Sequence, residues 1–359
     1  MSHKARQISR NFFLAAIALF IAACAQKPAA QKDMRVTPGA ERIDMIRPLL
    51  EGKAAGLIVN QSSRIGDAHL IDVLQAENIN LAALYAVEHG VRGDADAGAI
   101  IEDGKDVKSG LPVISIYGSK KGPDKADLNG VDILVYDLQD VGVRFFTYLS
   151  SLHYIMESCA RYDVPLIVLD RPNPNISHID GPILEPEHKS FVGMHPIPLL
   201  HGMTLGELGQ MINGEGWLGG GLQCDLTVIP VGNYTRSSRY ELPVRPSPNL
   251  PSQEAILHYP SLGLFEASDM SVGRGTTTPF SVLGGPNPGF GDFTFTPRPV
   301  IGAASNPKHN GVQMHGVDLR GVEITGLKIE YFIDWYARAQ ELGAAFLTRP
   351  EWLAKLMGT

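Results

Sequence analysis

Between residues 54 and 175 the chain repeats one pattern: a short run of consecutive apolar residues, a polar cluster, then a stretch with helical spacing. The runs are Gly56-Leu57-Ile58-Val59-Asn60, Leu81 to Val87, Val113 to Tyr117, Ile133 to Tyr136 and Leu166 to Leu169. Strands buried on both faces read as unbroken apolar runs rather than as alternation, so these segments predict a parallel sheet. Ala68 to Ala76 and Tyr148 to Tyr162 have helical spacing and fill two of the crossovers. The expectation is a Rossmann-like α/β sandwich over residues 41–184. From about Glu185 the texture turns to Pro- and Gly-rich loops, which predicts a second domain over 185–359. Within it, Thr204-Leu205-Gly206-Glu207 is a capping box that opens a helix through about Ile212, and Leu226 to Val231 reads as a strand.

Ligands of open parallel sheets sit outside the carboxyl ends of the strands. Those ends carry Asn60-Gln61, Glu88-His89-Gly90, Asp137-Leu138-Gln139-Asp140 and Asp170-Arg171-Pro172-Asn173-Pro174. Any one of these clusters is also what a helix cap or a turn requires. Four of them on one predicted edge point to a site. Further on, Arg245-Pro246-Ser247-Pro248-Asn249-Leu250-Pro251 has three prolines and must be a stiff loop. Gly273-Arg274-Gly275-Thr276-Thr277 has the form of an anion-cradling turn or of a plain turn with a surface arginine.

The segment after the first strand, Asn60-Gln61-Ser62-Ser63-Arg64-Ile65-Gly66, lacks the glycines that let a backbone approach a pyrophosphate. There is no GxSxG elbow and no Walker loop, so dinucleotide, α/β-hydrolase and P-loop chemistry are disfavoured. CxxC, HExxH and spaced His/Cys clusters are absent too, and neither a cofactor nor a metal site is expected. The chain has 359 residues with a net charge of −7, which excludes a polyanion binder with a basic surface and leaves nucleic acid out as a partner.

Residues 1–23 place Lys4, Arg6 and Arg10 before an apolar run from Phe12 to Ala23, too short for a mature membrane span. That is a secretory signal. Ile21-Ala22-Ala23-Cys24 resembles a bacterial lipobox, with Cys24 as the lipidated first residue of the mature chain and residues 24–40 as a tether. Removing the signal takes away three basic residues and leaves −10, so acyl chains rather than charge must hold the protein to a membrane. Ala25 is not the Asp of an inner-membrane retention signal, and the expected address is the periplasmic face of the outer membrane. Cys159 and Cys224 remain as a candidate disulfide that sequence alone does not bring together.

Eight segments stand in the order found in the DUF1343 family. They are Asn60-Gln61, Val87-Glu88-His89-Gly90-Val91-Arg92-Gly93, Tyr136-Asp137-Leu138-Gln139-Asp140-Val141-Gly142-Val143-Arg144, Leu169-Asp170-Arg171-Pro172-Asn173-Pro174, Ser190-Phe191-Val192-Gly193, His201-Gly202-Met203-Thr204, Pro246-Ser247-Pro248-Asn249 and Gly273-Arg274-Gly275-Thr276. The resemblance covers roughly residues 42–357. That family includes the exo-β-N-acetylmuramidases called NamZ. The resemblance implies a Rossmann-like N-terminal domain, a smaller C-terminal α/β domain, and a cleft between them that removes terminal N-acetylmuramic acid from peptidoglycan fragments. It also implies that Glu88 is the catalytic carboxylate. Two departures stand out: Val272 where members often carry an acidic residue, and a chain that stops at Leu353 to Thr359 where relatives usually continue.

Glycoside hydrolysis needs an acid for the leaving oxygen and a second group for the oxocarbenium-like carbon. Glu88 is the expected general acid, with His89 beside it. Asp137 and Asp140 are the candidates for the second carboxylate, either activating water or orienting the sugar's 2-acetamido group. Arg92, Arg144, Arg171 and Arg274 are the candidate cations for the lactyl carboxylate of muramic acid, with Arg144 and Arg274 preferred. Asn60, Gln61, Gln139, Asp170, Asn173 and Asn249 complete the expected sugar-binding set. Tyr117, Phe146 and Tyr148 are candidate stacking rings or core residues. The rival readings are a non-catalytic peptidoglycan-binding lipoprotein, and a cell-wall esterase or amidase using Ser62 or Ser63 with His89.

Overall fold

The computed structural model describes residues 35–93 and 103–359. The signal, Cys24 and most of the tether lie outside these residues. Strand β1 (Ala55–Val59) is buried along its whole length and forms the centre of a seven-stranded sheet. The others are β2 (Leu81–Ala86), β3 (Gly104–Lys105), β4 (Pro112–Ser115), β5 (Ile133–Asp137), β6 (Leu166–Leu169) and β7 (Leu226–Ile229). Their spatial order is β7-β6-β5-β1-β2-β4-β3, parallel throughout except for the short edge strand β3. The chain runs outward from β1 through β2 to β4, then returns to the other side of β1 at β5. This reversal makes the carboxyl ends of β1 and β5 a topological switch point, where a crevice opens.

Alternate residues of each strand serve opposite faces of the sheet. Leu57, Val59, Leu84 and Val135 join one apolar cluster with Ile46 and Leu50 of α1 (Ile43–Leu50) and with Leu70, Ile71 and Leu74 of α2 (Leu70–Ala76). Ile58, Tyr85, Leu134 and Tyr136 join the other, which holds Leu149, Leu152 and Met156 of α3 (Tyr148–Tyr162) and Leu208 and Ile212 of α4 (Leu205–Gly214). The predicted helix at Ala68 begins two residues later. Ala68–His69 pairs with Arg64–Ile65 as a small hairpin, and His69 Nδ1 accepts the Ile71 N–H as the cap of α2. The capping box at Thr204 and Glu207 forms as read, with both hydrogen bonds present.

The second cluster continues without a break into the C-terminal region. There it takes in Ala255 and Ile256 of α5 (Gln253–Leu262), Phe265 of a 3-10 helix (Gly263–Ala267), Trp335 of α6 (Ile329–Glu341) and Leu356 of α7 (Pro350–Met357). A three-stranded antiparallel sheet, β8 (Val282–Gly285), β9 (Phe293–Phe295) and β10 (Met314–Asp318), completes this smaller part, with β10 in the middle. The change of texture at Glu185 is not where the large sheet ends. β7 lies beyond it and pairs in parallel with β6. No helix among the described residues is long and apolar enough to cross a membrane.

Candidate active site

A cavity of about 520 Å3 opens between the carboxyl ends of the strands and the C-terminal region. Glu88 enters it from a turn that directly follows β2. In that turn the Gly90 N–H returns to the Val87 carbonyl at 3.0 Å, and His89 takes a φ of 74°. A side chain with a β-carbon is rarely found there, and such strain persists only where the surroundings over-determine it. Here His89 is buried, and its Nε2 meets Ser247 Oγ of the Pro-rich loop at 3.2 Å. The loop therefore pins the turn, and the turn aims Glu88. Thr147 Oγ1, at the start of α3, donates to Glu88 Oε2 at 2.8 Å. Burial and then the neighbouring Glu88 charge hold the Tyr117 phenol above its usual range, so it stays protonated, and its side chain hydrogen-bonds Glu88.

A second carboxyl shares this cavity. It belongs to Glu266 on the 3-10 helix, and Arg274 Nε donates to its Oε1 at 2.6 Å. Burial pushes this carboxyl up, but the Arg274 charge and hydrogen bond outweigh it and the net shift is downward, so Glu266 is held ionised. Sequence reading missed Glu266, because a lone Glu in an apolar stretch carries no spacing signal. Val272 is a buried core side chain, and the carboxylate paired with Arg274 of the GRGT turn is that of Glu266.

Asp137 and Asp140 do not line the cavity. Asp137 is fully buried and takes both arms of Arg171, with Nε to Oδ1 at 2.5 Å and Nη2 to Oδ2 at 2.8 Å. That pair neutralises itself inside the sheet edge. Asp140 Oδ1 accepts the Gly142 N–H at 2.6 Å, Oδ2 is buried without a partner among the described residues, and burial pushes the carboxyl up to about 7. Asp170 faces the first turn of α4, accepting from Thr204 Oγ1 at 2.6 Å and the Gly206 N–H at 2.8 Å, and burial pushes it up to about 6.

The remaining amides and arginines brace the loops that shape the cavity. Asn60 Nδ2 donates to the Tyr148 hydroxyl at 2.6 Å, and Gln61 Nε2 reaches the Pro246 carbonyl at 3.1 Å, which ties the end of β1 to α3 and the Pro-rich loop. Gln139 donates to the Asp140 and Pro172 carbonyls, and Asn173 to the Met203 carbonyl. Gly142 lies at φ 78°, and a β-carbon there would fall 2.0 Å from Asn173 Oδ1, so this bend admits only glycine. Arg92 binds Asp106 with two hydrogen bonds. Asn249 donates to the Ala303 carbonyl and lines a separate cavity of about 280 Å3. Ser62 Oγ is turned to Asn60 Oδ1 and Ser63 Oγ to the Asp137 carbonyl, so neither is activated by His89. Of the residues singled out from sequence as catalytic or sugar-binding, the cavity wall gathers Glu88, His89 and Arg274, and all three candidate rings join them. Phe146 packs edge-on against Tyr148 at 4.9 Å, and Tyr117 against Phe191 at 6.4 Å. Ser190 Oγ in the same wall is buried without a partner among the described residues.

Residues 55–254 match the family described as exo-beta-N-acetylmuramidase NamZ, N-terminal, and residues 257–359 match its C-terminal counterpart. The chain belongs to the NamZ family. It is 43% identical over 288 residues to the peptidoglycan beta-N-acetylmuramidase NamZ of Bacillus subtilis strain 168, a match that spans 76% of this chain and 69% of that one. Two crystal structures of DUF1343 family proteins from Bacteroides fragilis NCTC 9343 have the same fold. One is 42% identical with a TM-score of 0.82, covering 91% of this chain and 89% of that chain. The other is 32% identical with a TM-score of 0.73, covering 90% and 89%. The two NamZ segments meet between residues 254 and 257, and the cavity draws on both. Glu88 and Thr147 come from the first, Tyr259, Glu266 and Arg274 from the second.

Proposed function

We propose that this protein is an exo-acting glycoside hydrolase that releases terminal N-acetylmuramic acid from peptidoglycan fragments, with Glu88 as general acid. One observation carries the reading. In a NamZ-family chain, a carboxyl fixed by Thr147 projects into an aromatic-lined cavity large enough for a sugar, beside a second carboxylate held ionised by an arginine. Glu88 protonates the glycosidic oxygen as the bond to the anomeric carbon breaks. Glu266, kept anionic by Arg274, stabilises the positive charge that develops on the ring, and water then adds to the anomeric carbon, its released proton restoring the Glu88 carboxyl. The rings of Tyr117, Phe146 and Tyr259 offer apolar faces to the pyranose.

The test is release of a chromophore from a β-N-acetylmuraminide by wild type and by Glu88→Gln. Turnover lost in the variant, with sugar binding kept, supports the reading. Turnover that survives in Glu88→Gln removes Glu88 from this role, and no turnover by the folded wild type leaves a binding lipoprotein. The same reading places the protein in the bacterial envelope, tethered through a lipid on Cys24 at the periplasmic face of the outer membrane. Its support is the sequence Ile21-Ala22-Ala23-Cys24 after a basic and apolar leader. Labelling of cells with a fatty acid, lost in Cys24→Ser, is the check.

A further inference from the structure

The cavity around Glu88 contains more positive charge than its own carboxyls use. Arg274, Arg349 and Lys355 line it together with Glu88 and Glu266. Arg274 is committed to Glu266, and its guanidinium also lies 5.0 Å from the centre of the Phe280 ring. Arg349 rests 4.9 Å from the centre of the Trp352 ring and adds its charge to the field at Glu266 without a hydrogen bond to it. Lys355 is exposed and has no ion-pair partner among the described residues.

Arg349, Trp352 and Lys355 recur every third residue at and along α7, so they form one stripe of the helix. That stripe is held at both ends. The Arg349 N–H donates to the Ala267 carbonyl at 3.0 Å, on the 3-10 helix that carries Glu266. At the other end Arg144 Nη2 donates to the carbonyls of Leu356 and Met357. Arg144 is thereby removed from the candidates for substrate recognition. It positions the helix that carries the remaining cations.

We propose that this stripe selects the anionic substituent of the sugar: Lys355, with Arg349 beside it, pairs with the free carboxylate of the lactyl ether of N-acetylmuramic acid, and Trp352 packs against the same group. The inference rests on the muramidase reading and adds its specificity. N-acetylglucosamine lacks the lactyl ether and leaves both cations unmatched. An amide at the lactyl carbonyl, as in a peptide-bearing muramyl residue, removes the charge that they answer. Charge-assisted hydrogen bonds are about twice as strong as neutral ones, and a site built for such a group discriminates against analogues that lack it.

The experiment measures binding of N-acetylmuramic acid, its lactyl amide, muramyl dipeptide and N-acetylglucosamine to the full chain by ligand-observed NMR, alongside turnover of the chromogenic muraminide. Wild type is expected to bind the acid at least about tenfold more tightly than the amide, with the ratio shrinking as salt is added. Lys355→Gln brings the ratio to within about twofold of unity, Arg349→Gln lowers it less, and Lys355→Arg restores most of it. Both sites are exposed, and a thermal melt of each variant reports the fold. An acid-to-amide ratio near one in wild type, or one unchanged in the Lys355→Gln, Arg349→Gln double variant, overturns the proposal. So does muramyl dipeptide binding as tightly as the acid through Lys355, which makes a peptide carboxylate the partner. Absence of turnover with a Lys355-dependent preference for the acid supports the charge pairing and removes the muramidase reading alone.

Discussion

Arg144 Nη2 donates to the carbonyl of Met357 at 2.5 Å, joining the segment after β5 to the last turn of α7. The same guanidinium donates to the carbonyls of Pro182, Ile197 and Leu356, and it has no carboxylate partner among the described residues. A positive charge at the carbonyls left over at a helix C-terminus is favoured by the helix dipole. Burial alone pulls this guanidinium down to about 10, still well above neutrality, so the clamp stays charged. Replacing Arg144 by Leu strands these carbonyls, and stability should fall by about 3 kcal/mol or more, read as a lower urea midpoint. Release of α7 should also raise the KM for the muraminide. A midpoint equal to wild type is incompatible with the clamp.

The hydrogen bond from Thr147 to Glu88 leads to a kinetic expectation. Thr147→Val keeps the shape and deletes the donor. We expect kcat to fall by about tenfold, the equivalent of one good hydrogen bond, with little change in KM. Steady-state kinetics on the chromogenic substrate measure both, and a pure KM effect would place Thr147 in substrate binding instead.

Glu266→Gln should cost more in turnover than in stability. Removing an ionised group that faces developing charge typically lowers kcat by about a hundredfold. Arg274 is then left without its partner but with access to the cavity, so unfolding should shift only modestly. Retention of full kcat would show that Glu266 serves Arg274 and not the reaction.

Asp137 and Arg171 should show the reverse balance. Both are buried, and Asp137→Ala leaves the guanidinium uncompensated inside the sheet edge. The expected loss is about 3–5 kcal/mol by chemical denaturation. A loss of activity without a loss of stability would return Asp137 to the catalytic candidates.

Stability should decline on the acid side of neutrality. Burial depresses His153 to about 4, and His195 and His201 to about 3. Each is neutral in the folded chain and takes up a proton on unfolding once pH drops below the ordinary histidine value near 6.5. Buried Asp140 and Asp170 act oppositely, because they hold protons in the folded state up to about 7 and about 6. These three imidazoles against two carboxyls give a net uptake of about one proton near pH 5, and His69, also lowered by burial, adds to it in the same direction. Stability should therefore be flat above pH 7 and fall by about 1.4 kcal/mol per pH unit around pH 5. Melts across pH 4–8 check this, and a molecule that gains stability as the pH is lowered from 7 to 5 contradicts it.

The sequence by itself determined the parallel sheet, the polar clusters at the strand ends, the capping box at Thr204 and the place of Glu88 beyond a strand. These are local properties. A strand buried on both faces has to be apolar throughout, and a residue directly after it has to emerge at the edge. Only the tertiary structure decided which polar residue faces the cavity and which one braces it. Asp137 ends its strand and Glu88 closely follows one, yet Asp137 meets Arg171 from the neighbouring strand end while Glu88 reaches the cavity. That difference depends on strand order, which a continuous apolar run does not encode. Glu266 and the cations of α7 enter the site from segments far along the chain, brought there by the apolar core that the C-terminal region shares with one face of the sheet. Nothing in their own neighbourhoods marks them, because burial against a distant surface is a property of the assembled fold.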